Sequence, residues 1–288
     1  MNATVLSTPE TLPAAVAAGE IYPCVVSVNV DVETEDAKAA GKAGLFGRYS
    51  YGRYGAREGI WRILNVLQET GVRATFFINL EDARRHPAIL DAILDGGHEL
   101  AAQGVLIEEK QTTTAASLEL PGRIREGFVA LSGRAPVGWR CSNGLLTADA
   151  LAAVSVAGYD YDSSFQDDDM PYVFDGGNQR RLVELPVWDY LTDSVIYMNR
   201  HSHERVRKIW HEEFDALYDA NAYTHLTLHS RGDIGSGRTV RANVVREFLL
   251  RALQRPRVQF FRCDELADIV SRQGADAEPI PRQVRPAK

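Results

Sequence analysis

The chain reads as an α/β protein, a single distorted (β/α) barrel of about seven parallel strands. Three observations predict this. Short apolar or alternating runs take turns with amphipathic helical patterns along most of the 288 residues, and that alternation builds a mainly parallel sheet with helical crossovers. About seven or eight such units in roughly 250 residues suit a closed or nearly closed barrel. The composition, 45% apolar and 25% charged, supplies one sizeable core, and α/β barrels of this length commonly form one domain.

The elements follow in order. Residues 1–21 read as a loosely structured lead-in, 22–273 as the barrel and 274–288 as a polar, Pro-containing flexible tail. In the first strand Val26, Val28, Val30 and Val32 alternate with Ser27, Asn29, Asp31 and Glu33, a period of two. The Gly- and Tyr-rich stretch 36–56 is longer than a plain connector, which marks it as a functional loop. Residues 57–71 form an amphipathic helix ending at Gly71, and 73–79 an apolar strand. Helix 82–95 breaks at Gly96-Gly97 and leads to the short strand 98–104. Helix 115–131 precedes strand 137–140, and helix 147–157 precedes 159–164. Strand 182–190, helix 203–221, strand 225–230, helix 238–254, strand 258–263 and helix 264–273 complete the series.

Charge and composition exclude several functions. A net charge of −7 leaves no basic stripe for nucleic acid. No apolar run approaches the ~18 residues that cross a membrane. Cys24, Cys141 and Cys263 are far apart, with neither a disulfide framework nor a zinc pair among them. The N-terminus lacks the pattern of a secretory signal, so a cytoplasmic location is expected.

Working residues of a parallel barrel lie at the C-terminal ends of its strands. The first strand ends in Asp31-Val32-Glu33, two carboxylates expected on one face of one strand. Others end in Gln103, in Trp139-Arg140-Cys141 and in His229. Any of these alone reads equally well as core or loop chemistry; Cys141 lacks local features that would activate a thiol. Together they assemble a carboxylate, a cation, an amide and an imidazole, the parts of a general acid–base site.

The segments VSVNVDVE, GIWRILNVLQETGVRATFFI, DGGHELAAQG, GYDYDSSFQDDDMPY, LVELPV and LTLHS, in this order, resemble the NodB-homology polysaccharide deacetylases over residues 22–270. They are also similar to that superfamily's metal-independent allantoinases and cyclic imide hydrolases. The resemblance implies a NodB-type barrel with Asp31 as general base and Glu33 at the position of a metal-binding carboxylate. It implies Arg140 as the third-motif arginine, Asp189 or Glu184 as a fourth-motif acid, and His229 as the histidine assisting the leaving group or oxyanion. Related enzymes are commonly oligomers, so a homo-oligomer is expected.

One departure stands out. Where deacetylases carry His-x-x-x-His for their metal, this chain has Gln103 and Ile107. Glu33 alone cannot replace the roughly three protein ligands of a catalytic metal, and His201, His203 and His211 lie in what reads as an exposed helix. No cofactor is therefore expected. Without a Lewis acid, a small cyclic imide or amide is an easier substrate than an acetamide. Asp31 would activate water, Glu33 would raise its pKa by like-charge repulsion, and Arg140 and Gln103 would hold carbonyl groups. Tyr51, Tyr54, Trp139 and Trp188 would line the substrate, with Asp189 and Arg231 at its edge. A linear-amide deacetylase or deformylase, and a non-catalytic binding protein on the same scaffold, are the alternatives.

Overall fold

A short helix, α1 (Leu12–Ala17), leads into β1 (Tyr22–Asn29), whose eight residues are all buried. The computed structural model describes residues 12–40, 47, 50–104, 115–142, 146–175, 180–273 and 278–279. The lead-in before residue 12, much of the 36–56 loop including Tyr49, the segment with Ile107, and most of the 274–288 tail lie outside the described residues.

After β1 come α2 (Glu33–Ala40), α3 (Tyr51–Tyr54), a π turn over Gly55–Gly59 and α4 (Ile60–Thr70). Gly71, at φ 70°, supplies the left-handed residue that stops α4. β2 (Thr75–Ile78) is followed by α5 (Leu80–Arg85) and α6 (Pro87–Asp95). The single helix expected over 82–95 is thus broken at His86, because Pro87 cannot continue a helix from within.

β3 (Glu99–Gly104), α7 (Ala115–Ser132), β4 (Gly138–Cys141), α8 (Ala148–Ala157) and β5 (Tyr161–Asp162) continue the alternation. β6 (Tyr172–Asp175) and β7 (Arg181–Glu184) form an antiparallel pair. A 3-10 turn at Asp189–Leu191 precedes α9 (Asp193–Met198) and α10 (His203–Asp219). β8 (Thr224–His229), α11 (Thr239–Leu253), β9 (Val258–Phe261), α12 (Cys263–Arg272) and β10 (Glu278–Pro279) complete the chain.

The strands form one sheet in the order β10-β6-β7-β5-β4-β3-β2-β1-β8, with β9 also on β1. Every pairing except β6 with β7 is parallel, so the α/β barrel expectation holds in the form of a half-barrel. Between the two sides, Thr192 makes a single parallel bridge to Thr227. The Tyr223 hydroxyl and His225 Nδ1–H both donate to Pro186 O across the same seam. Helix faces bury Ile60, Ile63, Leu151, Val154, Trp210, Phe214 and Phe248 in a core that includes Val26, Val28 and Phe76 of the sheet. Among the described residues no helix is long and apolar enough to cross a membrane.

Two expectations at strand ends need correction. β1 stops at Asn29 and the chain turns into α2 at Glu33, so Asp31 and Glu33 do not share a strand. Trp139, expected against the substrate, is fully buried, edge-on to Tyr159 at 5.2 Å. A Cβ on Gly104 would lie 1.8 Å from the Trp139 ring, so only glycine lets the end of β3 pass over it.

Candidate active site

The parallel register brings the polar strand ends together. Asn29 is paired with His229 across β1 and β8, and Gln103 with Arg140 across β3 and β4. Asp31, two residues beyond Asn29, sits over this opening. Its Oδ1 accepts a hydrogen bond from Gln103 Nε2 at 2.9 Å, and its Oδ2 lies 3.7 Å from His229 Nε2. The two side chains are 14% and 10% exposed. The carboxylate and imidazole singled out in the sequence therefore meet.

Behind the imidazole stands a residue that sequence reasoning missed. Asp193, fully buried at the start of α9, accepts from His229 Nδ1 at 2.6 Å. Its other oxygen accepts the backbone N–H of His229 at 3.0 Å and of Ser236 at 2.7 Å. The glycine-rich loop after β8 thus carries a backbone N–H to this internal carboxylate. A Cβ on Gly235 would come within 2.3 Å of His229 O, so the loop folds tightly over β8 only with glycine there. The sole sequence signal for Asp193 is an acid opening an apolar turn, and nothing local links it to His229.

Burial favours the neutral form of His229, but the charge and hydrogen bond of Asp193, and then the charge of Asp31, outweigh it and raise the imidazole pKa. Asn29 acts in the opposite sense. Its Nδ2 lies 2.9 Å from His229 Nε2, while its Oδ1 accepts from Arg140 Nη1 at 3.0 Å. Because a guanidinium only donates, Arg140 fixes the amide orientation and turns the Asn29 N–H toward the ring. The neutral ring accepts from Asn29, and the protonated ring has Asp31 as its alternative partner.

Arg140 is built into the interior. It donates to Ser163 O, Ser163 Oγ, Ser27 Oγ and Asn29 Oδ1, bonds His225 Nε2, and stacks 4.0 Å from the Phe77 ring centroid. It was expected to hold a substrate carbonyl; its five N–H groups are instead engaged, and it supports Asn29. Arg231 is likewise held by Asp36 at 2.6 Å and Asp233 at 3.0 Å, tying the loop after β8 to α2. Tyr54 is clamped between Arg238, 3.9 Å above its ring, and Arg62, to which its hydroxyl is bonded. Tyr51 is half-buried at the start of α3.

Asp189 accepts from Gln166 Nε2 at 2.8 Å. The exposed Trp188 donates to Glu213 at 3.0 Å and lines a separate 210 Å³ cavity near His225. Glu184, the alternative fourth-motif acid, is fully buried beside Asp162, and burial with that neighbouring charge pushes its pKa well up.

The metal-binding positions implied by the family do not fit a cation. Glu33 lies 3.5 Å from His86 Nε2, and Gln103 turns its N–H, not its carbonyl, toward Asp31. Among the described residues, no three His, Cys, Asp or Glu side chains gather as a metal site.

A parallel half-barrel whose strand ends present an acid-backed imidazole beside a carboxylate has the parts of a general acid–base site where α/β barrels place their chemistry. Residues 49–161 match the family model described as Polysaccharide deacetylase. A putative polysaccharide deacetylase from Mycobacterium smegmatis superposes with TM-score 0.82 at 26% identity, covering 92% of this chain and 96% of that one. PuuE allantoinase superposes with TM-score 0.75 at 21% identity over 88% and 92% of the two chains, a likeness of fold. The peptidoglycan deacetylase-like protein FGM2 of Gibberella zeae is 25% identical over 206 residues, 59% of this chain and 61% of the relative. The chain thus spans about three-fifths of the curated relative it matches. Over residues 49–161 the chain is similar to the polysaccharide deacetylase family, and its fold is that of the Mycobacterium smegmatis neighbour.

Proposed function

We propose that the protein opens a small cyclic imide or cyclic amide by hydrolysis, using Asp31 and His229 and no metal ion. The observation that carries this reading is the arrangement of Asp31. One of its oxygens is tied to Gln103, at the position of a family metal histidine, and the other faces an imidazole backed by a buried carboxylate. A carboxylate held this way acts as a base toward water without help from a Lewis acid.

In this scheme Asp31 Oδ2 takes a proton from the attacking water. His229, whose pKa Asp193 raises, passes its Nε2 proton to the leaving nitrogen, and the Asn29 N–H then donates to the Nε2 lone pair. A ring carbonyl flanked by nitrogen or a second carbonyl is more electrophilic than an acetamide, which offsets the several kcal/mol a metal would contribute. The fold shared with PuuE allantoinase supports a ring-opening reaction. The second reading, deacetylation of a small linear amide, is favoured by the family-model match and the Mycobacterium smegmatis neighbour.

A substrate panel separates them. Succinimide, hydantoin, dihydrouracil and allantoin are compared with N-acetylated amino sugars, following ring opening or acetate release. Turnover confined to the rings supports the proposal. Acetate release without ring opening replaces it by the second reading.

A further inference from the structure

We infer that Gln103 selects substrates that carry an N–H beside the scissile carbonyl, with its side-chain oxygen as the acceptor. This rests on the ring-opening reading and names the feature of the ring that is recognised. Gln103 is 3% exposed at the end of β3. Its Nε2 donates to Asp31 Oδ1 at 2.9 Å, and because a carboxylate only accepts, the amide cannot be turned over. Oε1 is thereby fixed on the other side of the same amide, buried and without a hydrogen-bond partner. Buried acceptors in folded proteins are rarely left this way.

The missing partner is a donor. A cation is a poor candidate, because among the described residues no three His, Cys, Asp or Glu side chains gather as a metal site. A neutral N–H from a ligand completes the amide without displacing any bond already made. One planar group then binds the base through its N–H and the substrate through its oxygen. An imide or ureide N–H seated on Oε1 brings the adjoining carbonyl carbon toward the water held by Asp31. An N-alkylated ring offers no donor and leaves the acceptor unpaired.

The test compares kcat/KM for succinimide and N-methylsuccinimide in the wild type and in Gln103→Met, which keeps the length of the side chain and removes the acceptor. The wild type should prefer succinimide by roughly tenfold or more, about what one hydrogen bond confers. In Gln103→Met both rates should fall, since Asp31 loses its donor, and the preference should shrink to within about threefold. A wild type that turns over both rings equally overturns the inference and leaves the ring-opening reading standing. A preference that persists in Gln103→Met also overturns it, because steric exclusion of the methyl group would survive that change. If no ring is opened at all, the ring-opening reading falls and this inference with it.

Discussion

Replacing Asp193 by Asn should cripple the imidazole without disturbing the barrel. The oxygen of Asp193 that takes the backbone N–H groups of His229 and Ser236 has an equivalent in the Asn amide oxygen. The Asn nitrogen must then face His229 Nδ1, where a carboxylate oxygen now accepts at 2.6 Å. An N–H there forces Nδ1 to accept, so the remaining ring proton moves to Nε2. That nitrogen already faces the N–H of Asn29, whose orientation Arg140 fixes. The single ring proton then opposes the Asn29 N–H at 2.9 Å, and without the Asp193 charge the ring no longer favours the second proton that the scheme requires. A hydrogen bond to a charged group contributes about 1.5–3 kcal/mol, so kcat/KM should fall by roughly 10- to 150-fold.

The pH profile gives the second readout. His229 donates its proton in the proposed scheme, so activity is lost as pH rises through its pKa. Asp193 raises that pKa, and its loss should move the alkaline limb of kcat/KM to lower pH. The assay is ring opening of the best panel substrate across pH 5–9 as an approximate range, with circular dichroism to confirm folding. A folded variant within about threefold of wild type, with an unmoved alkaline limb, would refute the reasoning.

Two further outcomes are expected. Gly104→Ala places a methyl group 1.8 Å from the Trp139 ring, and overpacking of this kind should cost about 1–3 kcal/mol, read as a lower denaturant midpoint. Glu99, bonded to Thr75, Tyr161 and the Asp264 backbone, is pushed up to about 8 by burial and by the charge of Asp264. The folded chain therefore keeps a proton that the unfolded chain releases near the ordinary glutamate value, about 4.3. Stability should fall as pH rises from there toward 8, and Glu99→Gln should make that fall smaller in urea titrations at both ends of the window.

The parts of the site legible in the sequence were those written in local pattern. The valine alternation around Asn29 and Asp31 and the apolar run ending in His229 placed a carboxylate and an imidazole at strand ends, and parallel register made them neighbours. Asp193 was not legible, because its tie to His229 depends on α9 closing the seam between the Pro186 segment and β8. Trp139 was misplaced because a strand ending shows which residues alternate, not which face the core fills; Gly104 beside it held the steric clue. Arg140 and Arg231 carry charge that suggested ligand binding, yet each is consumed by partners far away in the chain. Glu33 was assigned to a strand that ends before it, since nothing in its alternation marked the turn into α2.

The most direct test of the account is ring opening by chelator-treated enzyme, metal content verified by elemental analysis, in the wild type and Asp31→Asn. Full turnover by metal-depleted wild type, abolished in a folded Asp31→Asn, is the predicted result. Turnover that vanishes on chelation and returns with zinc or cobalt would contradict it, as would activity that survives the loss of the Asp31 carboxylate.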